Sequence, residues 1–120
     1  MVFIKQWRGN KFGNRAKYNN IPSSYNGILF RSILERNYAM WLDSEKRKDK
    51  IKKWRYEAVK FKLHAKGGGL ITTYTPDFEI TFPDGHIEFH ETKGKETEVW
   101  RLKWKHCRLE YPNKKFIIVR

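Results

Sequence analysis

The stretch YTPDFEITFPDGHIEFHETKGK, residues 74–95, predicts the central hairpin of the fold. Pro83-Asp84-Gly85 is a turn signal, so the alternating segments on either side are expected to form two antiparallel strands. The two strands contain four acids: Asp77, Glu79, Glu88 and Glu91. Acidic residues are depleted in strands, and a chain of formal charge +13 has many solvent-facing places for them. The position of these acids within the strands therefore indicates that they have a functional role.

Side chains alternate along a strand, so Glu91 and Lys93 are predicted to share a face while Thr92 points away. A three-residue turn would place Asp77 directly opposite Glu91, whereas a two-residue turn would place it opposite Thr92. The apolar pattern favours the second register, which pairs Phe78 with Glu91. Convergence of the two carboxylates favours the first. We therefore expect a bulge or splay near Pro76 that brings Asp77 and Glu91 together.

Two partly buried carboxylates a few ångströms apart repel each other, and a divalent cation relieves that repulsion. Carboxylate oxygens suit Mg²⁺ or Mn²⁺ and do not suit zinc. Such a cation polarises a phosphodiester and lowers the pKa of a bound water, and Lys93 can orient that water or neutralise charge on the phosphate. The alternative is a solvated hairpin in which Glu and Lys side chains form cross-strand pairs.

Composition limits the class of protein. The 120 residues fit a single domain, 1–120, and a hydrophobic content of 39% with 16% aromatic residues predicts a folded core. Lys and Arg number 26 against 13 Asp and Glu, which favours a polyanionic partner, nucleic acid first. A basic component of a translation or membrane-surface assembly is the alternative. Cys107 is the only cysteine, so no internal disulfide is possible, and no apolar run suggests a signal peptide or membrane span. We expect a cytoplasmic protein with no membrane partner.

The remaining segments complete an α/β pattern. Residues 1–26 are predicted to be a basic, mostly irregular arm, and Ser32 is predicted to cap a helix that begins at about Ile33. Residues 54–63 alternate as a strand with a bulge near Ala58. A second helix is expected over 97–111 and a final strand after Pro112. The order αβββαβ predicts a mixed sheet flanked by helices.

Three motifs carry a resemblance to a known superfamily. Pro76-Asp77, thirteen residues, and then Glu91-Thr92-Lys93 is similar to the PD-(D/E)XK nuclease pattern, whose restriction-endonuclease-like core has the same αβββαβ order. The fuller set FRSILE (30–35), YTPDF (74–78) and HETKG (90–94) resembles the endonuclease I group of phage Holliday-junction resolvases and related small phage endonucleases. The hairpin is longer than in that group, and the extended C-terminal region of that group is lacking.

The resemblance implies a Mg²⁺-dependent or Mn²⁺-dependent DNA endonuclease that cuts branched DNA as a homodimer in the cytoplasm of a phage-infected bacterium. Its catalytic set carries over onto Glu35, Asp77, Glu91 and Lys93. The implied metal ligands are Asp77, Glu91, the Thr92 backbone carbonyl and Glu35, directly or through water. Glu35 has an alternative explanation, because Ser32-Ile33-Leu34-Glu35 is also a capping box.

The basic arm and the second helix offer two predicted DNA-binding surfaces. Arg101, Lys105 and Arg108 share a helical stripe about 60° wide. The predicted DNA-binding residues are Lys5, Arg8, Lys11, Arg15, Lys17, Lys95, Arg101, Lys105 and Arg108. The alternatives are a nicking, repair, packaging or defence nuclease of the same fold acting on duplex or flap DNA, and a non-catalytic DNA-binding module. His90 is expected on the face of its strand opposite Glu91, in a structural role.

Overall fold

The structure is a computed structural model and describes residues 21–120. These residues contain eight strands and two helices. In chain order they are β1 (Ser23–Tyr25), β2 (Ile28–Phe30), α1 (Ile33–Arg47), β3 (Lys53–Tyr56), β4 (Phe61–His64), β5 (Leu70–Tyr74), β6 (Phe78–Thr81), β7 (Ile87–Thr92), α2 (Glu98–Glu110) and β8 (Lys115–Val119). Neither of these helices has the length and apolar character needed to cross a membrane.

The main sheet has four strands in the order β3-β6-β7-β8. The first three strands are antiparallel to their neighbours and β8 runs parallel to β7, so the sheet is mixed. Two further hairpins, β1-β2 and β4-β5, form separate two-stranded sheets. The prediction of an α/β fold with a mixed sheet and two helices is confirmed. Without the two hairpins, the element order is α1-β3-β6-β7-α2-β8.

The two helices cover opposite faces of the sheet. Helix α1 begins where the Ser32 hydroxyl accepts a hydrogen bond from the Glu35 amide at 3.1 Å, which confirms the predicted N-cap. Its buried residues Tyr38 and Leu42 pack with Phe78 of β6. Helix α2 packs Trp100, Trp104 and Cys107 with Phe89 and Phe61. Strand β7 therefore lies between two apolar cores, with alternate side chains entering each.

Three sequence predictions about strands are wrong. The basic arm does not extend to residue 26, because Ser23–Tyr25 pairs with Ile28–Phe30 across an Asn26-Gly27 turn whose residues have φ of 51° and 81°. Residues 1–20 of the predicted arm lie outside the described residues. The expected strand over 54–63 is broken at Glu57, which has φ of 48°, into β3 and β4, where we predicted only a bulge. The strand predicted before the Pro83-Asp84-Gly85 turn, from Tyr74 onward, is likewise divided, because Tyr74 ends β5 and Phe78 begins β6 in a different sheet.

The register of the central hairpin differs from the one that the apolar pattern favoured. Phe78 pairs with His90 and Ile80 with Glu88, so Phe78 does not face Glu91. The chain reverses through Pro83-Asp84-Gly85, where Gly85 has φ of 94° and the Phe82 amide donates to the His86 carbonyl. This is the three-residue turn, and continuing its register places Asp77 opposite Glu91. The β6-β7 pairing is regular from Phe78 onward, so the bulge or splay predicted near Pro76 is not needed.

Candidate active site

Asp77 and Glu91 lie at the end of the β6-β7 pair, and both side chains are buried, at 7% and 6% exposure. Asp77 immediately precedes β6, and its carbonyl accepts a hydrogen bond from the Glu57 amide at 2.8 Å. That bond extends the β3-β6 pairing by one residue beyond the first residue of β6. The break at Glu57 therefore helps to hold the backbone that carries Asp77.

Thr92 positions the Asp77 carboxylate. Asp77 Oδ2 accepts hydrogen bonds from both the Thr92 amide, at 3.0 Å, and the Thr92 hydroxyl, at 2.9 Å. Both bonds use the same oxygen, so within residues 21–120 the other oxygen, Oδ1, remains available to a ligand. The resemblance implies that the Thr92 backbone carbonyl is a metal ligand, which stays a prediction. The structure shows contacts through its amide and hydroxyl.

The Glu91 carboxylate is held between a tyrosine and a lysine. Glu91 Oε1 accepts a hydrogen bond from the Tyr74 hydroxyl at 2.6 Å, and Glu91 Oε2 lies 3.7 Å from Lys93 Nζ. The Lys93 ammonium also lies 4.7 Å from the centre of the Trp100 ring on α2. Glu91 and Lys93 therefore share a face of the strand, as the alternation predicted.

Glu35 reaches the same region from the first turn of α1. Its Oε1 accepts a 2.5 Å hydrogen bond from the Tyr56 hydroxyl and a longer one, 3.3 Å, from the Arg31 amide. A capping box would direct this carboxylate to the amide of the N-cap residue Ser32. Here it bonds instead to the residue before the cap and to β3, so capping alone does not account for the position of Glu35.

The electrostatics show that these three acids interact. Burial raises the pKa of Asp77 well above its ordinary value, and the charges of Glu91 and Glu35 raise it further. The pKa values of Glu91 and Glu35 are also raised, in each case chiefly by burial, and the charge of Glu35 contributes to the shift at Glu91. Hydrogen bonds from Tyr74 and Tyr56 oppose those shifts only in part. The cluster thus has an excess of buried negative potential.

The fit of a metal ion depends on the donor chemistry. No group of three or more His, Cys, Asp or Glu side chains among residues 21–120 is arranged to enclose a metal ion. The acids nevertheless supply carboxylate oxygens, which are the ligands Mg²⁺ and Mn²⁺ prefer. Burial is the main cause of their raised pKa values, and repulsion between carboxylates, which a cation relieves, adds to the shifts at Asp77 and Glu91. Mg²⁺ usually retains several waters, so two carboxylates suit it without a closed protein cage.

The predicted DNA-binding residues lie apart from the acids in sequence and are exposed where the structure describes them. Lys95, Arg101, Lys105 and Arg108 are all exposed. Arg101 pairs with Glu96 at 3.4 Å, and the Arg108 guanidinium lies 5.9 Å from the Trp104 ring centre. Lys5, Arg8, Lys11, Arg15 and Lys17 lie outside the described residues.

The other acids of the hairpin have different partners. Glu79 pairs with Arg55 across β3 and β6 at 2.6 Å. Glu88 is fully buried on the α1 side of β7, where its carboxylate contacts both His86 and His90. His90 also contacts the Tyr38 hydroxyl, at 2.7 Å, which confirms that it lies on the face opposite Glu91.

Tyr56 and Tyr74 are the site residues that sequence reasoning missed. Each donates a short hydrogen bond to a carboxylate of the cluster, and burial raises the pKa of both hydroxyls, so they remain protonated donors. Tyr74 stands three residues before Asp77, but it belongs to β5 in a separate sheet. No spacing rule within one strand connects either tyrosine to its carboxylate.

Comparison with known proteins identifies the family but no characterised relative. Neither the curated proteins nor the solved structures yield a match to the chain. One family model, described as "Protein of unknown function (DUF1064)", matches residues 15–120. That range includes every element described above and the whole acidic cluster. The chain therefore belongs to the DUF1064 family.

Proposed function

We propose that this protein is a metal-dependent DNA endonuclease that hydrolyses phosphodiester bonds, with branched DNA as its substrate. The observation that carries the proposal is the cluster formed by the buried acids Asp77 and Glu91 and the half-buried Glu35, beside the Lys93 ammonium. Acids whose pKa values are raised by burial and by neighbouring carboxylates are unfavourable for the fold unless a ligand compensates them. A divalent cation against a phosphate backbone is such a ligand.

The order of elements supports the proposal. The sheet strands and the two helices follow the sequence α1-β3-β6-β7-α2-β8, the order of the PD-(D/E)XK core that the motifs resemble. Asp77 immediately precedes the second of these strands, and Glu91 lies near the end of the third.

The residues of the chain have separable roles in this proposal. Thr92 fixes Asp77, Tyr74 fixes Glu91 and Tyr56 fixes Glu35, each through hydrogen bonds that leave the carboxylates pre-oriented. The Lys93 ammonium can donate a hydrogen bond to a water or to a phosphate oxygen. Asp77 and Glu91, with Glu35 directly or through water, would hold Mg²⁺. When bound, Mg²⁺ polarises a phosphodiester and lowers the pKa of water.

The exposed cations provide the DNA surface. The stripe of Arg101, Lys105 and Arg108 on α2 presents positive charge, and the basic residues of the first twenty supply a second set. A branched substrate with diverging arms can neutralise two separated cationic surfaces, whereas a linear duplex needs only one. A homodimer, suited to cutting two symmetric strands, is part of the proposal.

The test is cleavage of four-way, three-way, flap and linear DNAs of equal length in Mg²⁺. Wild-type protein is expected to cut branched DNA, and Asp77→Asn is expected to bind the same DNA without cutting it. Cleavage confined to duplex or flap DNA would move the assignment to a nicking, repair, packaging or defence nuclease. Tight DNA binding with no cleavage of any substrate by wild-type protein would leave a binding module.

The salt dependence of binding gives a second readout. The slope of log affinity against log salt is expected to be steeper for a four-way junction than for a duplex with the same number of base pairs. Deleting residues 1–20 is expected to reduce that difference more than it reduces duplex binding. Equal slopes and equal cleavage rates for the two DNAs would rule out junction specificity.

A further inference from the structure

An apolar groove lies between the β4-β5 hairpin and α2, and none of its lining residues belongs to the acidic cluster. Its volume is about 970 Å³. Leu63 and Ile71 line it from the hairpin side, and Leu102 and Leu109 line it from the helix side. A cleft of this size with aliphatic walls is typical of a site that accepts side chains of another molecule.

The groove exists because α2 has a second apolar stripe in addition to its core stripe. Trp100, Trp104 and Cys107 face the core, whereas Leu102 and Leu109 are 70% and 71% exposed. On the hairpin, Leu70 and Ile71 are 58% and 59% exposed. Single exposed leucines are ordinary, but aliphatic side chains facing one another across a cleft form a contiguous patch that marks an interaction site.

The rim of the groove is cationic. Lys66 borders it on the hairpin, and Lys103 and Lys105 border it on α2. The acid that lines it, Glu110, is already engaged by the ring of His64 at 2.5 Å and by the ring of His106 at 3.2 Å. His64 and Glu110 also join the hairpin to the helix through the His64 amide, at 2.8 Å, which fixes the shape of the groove. Positive charge therefore remains available at the rim.

Charge and composition discriminate among the possible occupants. A second copy related by a two-fold axis would bring the lysines of one rim against the same lysines of the other, which is unfavourable. Residues 1–20 contain no acidic residue, so this segment would meet the same repulsion. Non-specific binding of DNA bases uses aromatic stacking platforms, and the lining residues of the groove include no Phe, Tyr or Trp.

We propose that this groove binds a segment of a partner protein in which aliphatic side chains alternate with acidic residues. The aliphatic side chains would occupy the floor between Leu102, Leu109 and Ile71, and the acids would pair with Lys66 and Lys103 at the rim. This mode corresponds to an amphipathic segment laid into a groove. It provides the protein with a recruitment surface that is separate from the acidic cluster.

The experiment is selection from a display library of random twelve-residue peptides against the full-length protein, with counter-selection against Leu102→Ser/Leu109→Ser. Selected peptides are labelled and their affinities measured by fluorescence anisotropy. Enriched peptides are expected to combine Asp or Glu with Leu, Ile or Val. The double variant is expected to weaken their binding at least about tenfold. Lys66→Glu/Lys103→Glu is expected to weaken it further as salt is lowered, because the rim attraction has become repulsion.

Leu29→Ser is the matched control, because Leu29 is 66% exposed on β2 and does not line the groove. It should leave peptide affinity unchanged, and circular dichroism should show all variants folded. Enrichment of basic or uncharged peptides, or of none that depend on Leu102 and Leu109, would overturn the proposal. So would self-association of wild type that the double variant abolishes in sedimentation velocity, or a loss of DNA affinity in that variant. None of these measurements uses cleavage activity, so their outcome does not depend on the proposed nuclease function.

Discussion

Glu88 and Glu91 lie three residues apart on β7, both buried, on opposite faces of the same strand. On the α1 side, Glu88 contacts His86, His90 and Lys115, at 3.0, 2.9 and 3.6 Å. On the other side, Glu91 has one lysine nearby and faces two more acids. One carboxylate is compensated by the protein and the other is not.

The protonation of the Glu88 network follows from its contacts. Burial alone would raise the pKa of Glu88, but hydrogen bonds from His90 and His86 outweigh it and the pKa is lowered. Burial lowers the pKa of His90, so its ring is neutral, donates from Nε2 to Glu88 and accepts from the Tyr38 hydroxyl at Nδ1. Hydrogen bonds to Glu88 and Asp84 raise the pKa of His86, so both of its ring nitrogens are donors. This network is internally satisfied and needs no ligand.

The Glu91 face has the opposite balance. Its donors are tyrosine and threonine hydroxyls, two amides and one ammonium, against three carboxylates whose pKa values are all raised. The two faces of β7 therefore use buried acids differently. The compensated Glu88 stabilises the fold, whereas the uncompensated cluster around Glu91 favours binding of a cation. Substitutions on the two faces are therefore expected to have opposite consequences.

The largest expected difference is in cleavage. Glu91→Gln should reduce Mg²⁺-dependent cleavage of a four-way junction by roughly 10³-fold, because loss of a metal-holding carboxylate removes several kcal/mol of transition-state stabilisation. Glu88→Gln, measured at a temperature where it is folded, should cut at the wild-type rate per folded molecule. The rates are measured on gels under single-turnover conditions. Equal losses in both variants would mean that only the fold had been damaged.

The next difference is in stability without divalent metal. Glu88→Gln should lower the free energy of unfolding by about 2 kcal/mol, because the amide loses the charge-assisted hydrogen bonds that the Glu88 carboxylate accepts from His86 and His90. Glu91→Gln should raise it by about 1 kcal/mol, because the amide still accepts from Tyr74 and the repulsion is gone. Urea denaturation at pH 8 with a chelator measures both. A destabilised Glu91→Gln would contradict the claim that the cluster is uncompensated.

Metal binding should also distinguish the Glu88 face of β7 from the Glu91 face. At ten times its dissociation constant, Mg²⁺ stabilises a folded protein by about 1.4 kcal/mol. Thermal unfolding should show this shift in wild type and in Glu88→Gln, but not in Glu91→Gln. Lys93→Ala should retain the shift and lose cleavage, because the lysine is not a ligand. Loss of metal binding in folded Lys93→Ala would assign Lys93 a different role.

The two tyrosines provide a smaller contrast. Tyr74→Phe removes the hydroxyl that positions Glu91 and should slow cleavage about fivefold, the equivalent of one ordinary hydrogen bond. Tyr38→Phe removes the hydroxyl bonded to His90 and should leave the cleavage rate unchanged while lowering stability by about 1 kcal/mol. Single-turnover rates and urea denaturation separate the effects. A slower Tyr38→Phe would extend the site across the strand.

The smallest effect is the pH dependence of stability. The pKa of Glu91 is raised above its ordinary value of 4.5, so the folded state binds the proton more tightly than the unfolded state. The gain in Glu91→Gln is therefore full above the folded pKa, shrinks as pH falls and vanishes below 4.5. The pKa of Glu88 is lowered, so the stability it contributes is present above 4.5 and disappears as pH falls through its folded pKa. Urea denaturation of wild type and both variants between pH 4 and 8 measures this contrast.

Local signals in the sequence were sufficient for the helices and for the hairpin. Ser32 and Thr97 cap the two helices as local chemistry requires, and Pro83-Asp84-Gly85 marks the turn. The register was misjudged because the apolar pattern assumes that polar residues face solvent, whereas Glu88 and His90 are buried by partners from other elements. Tyr56 could not be found because no local pattern in the sequence connects it to Glu35. Its contact with Glu35 exists only after β3 packs beside α1.

Strand β5 connects the two surfaces. Ile71 near its beginning lines the groove, and Tyr74 at its end donates to Glu91. Four residues of extended chain span only about 13 Å, and an extended chain has little slack. A displacement of the hairpin toward or away from α2 therefore moves the Tyr74 hydroxyl with it. The same short strand therefore contributes both to the wall of the groove and to the position of the Glu91 carboxylate.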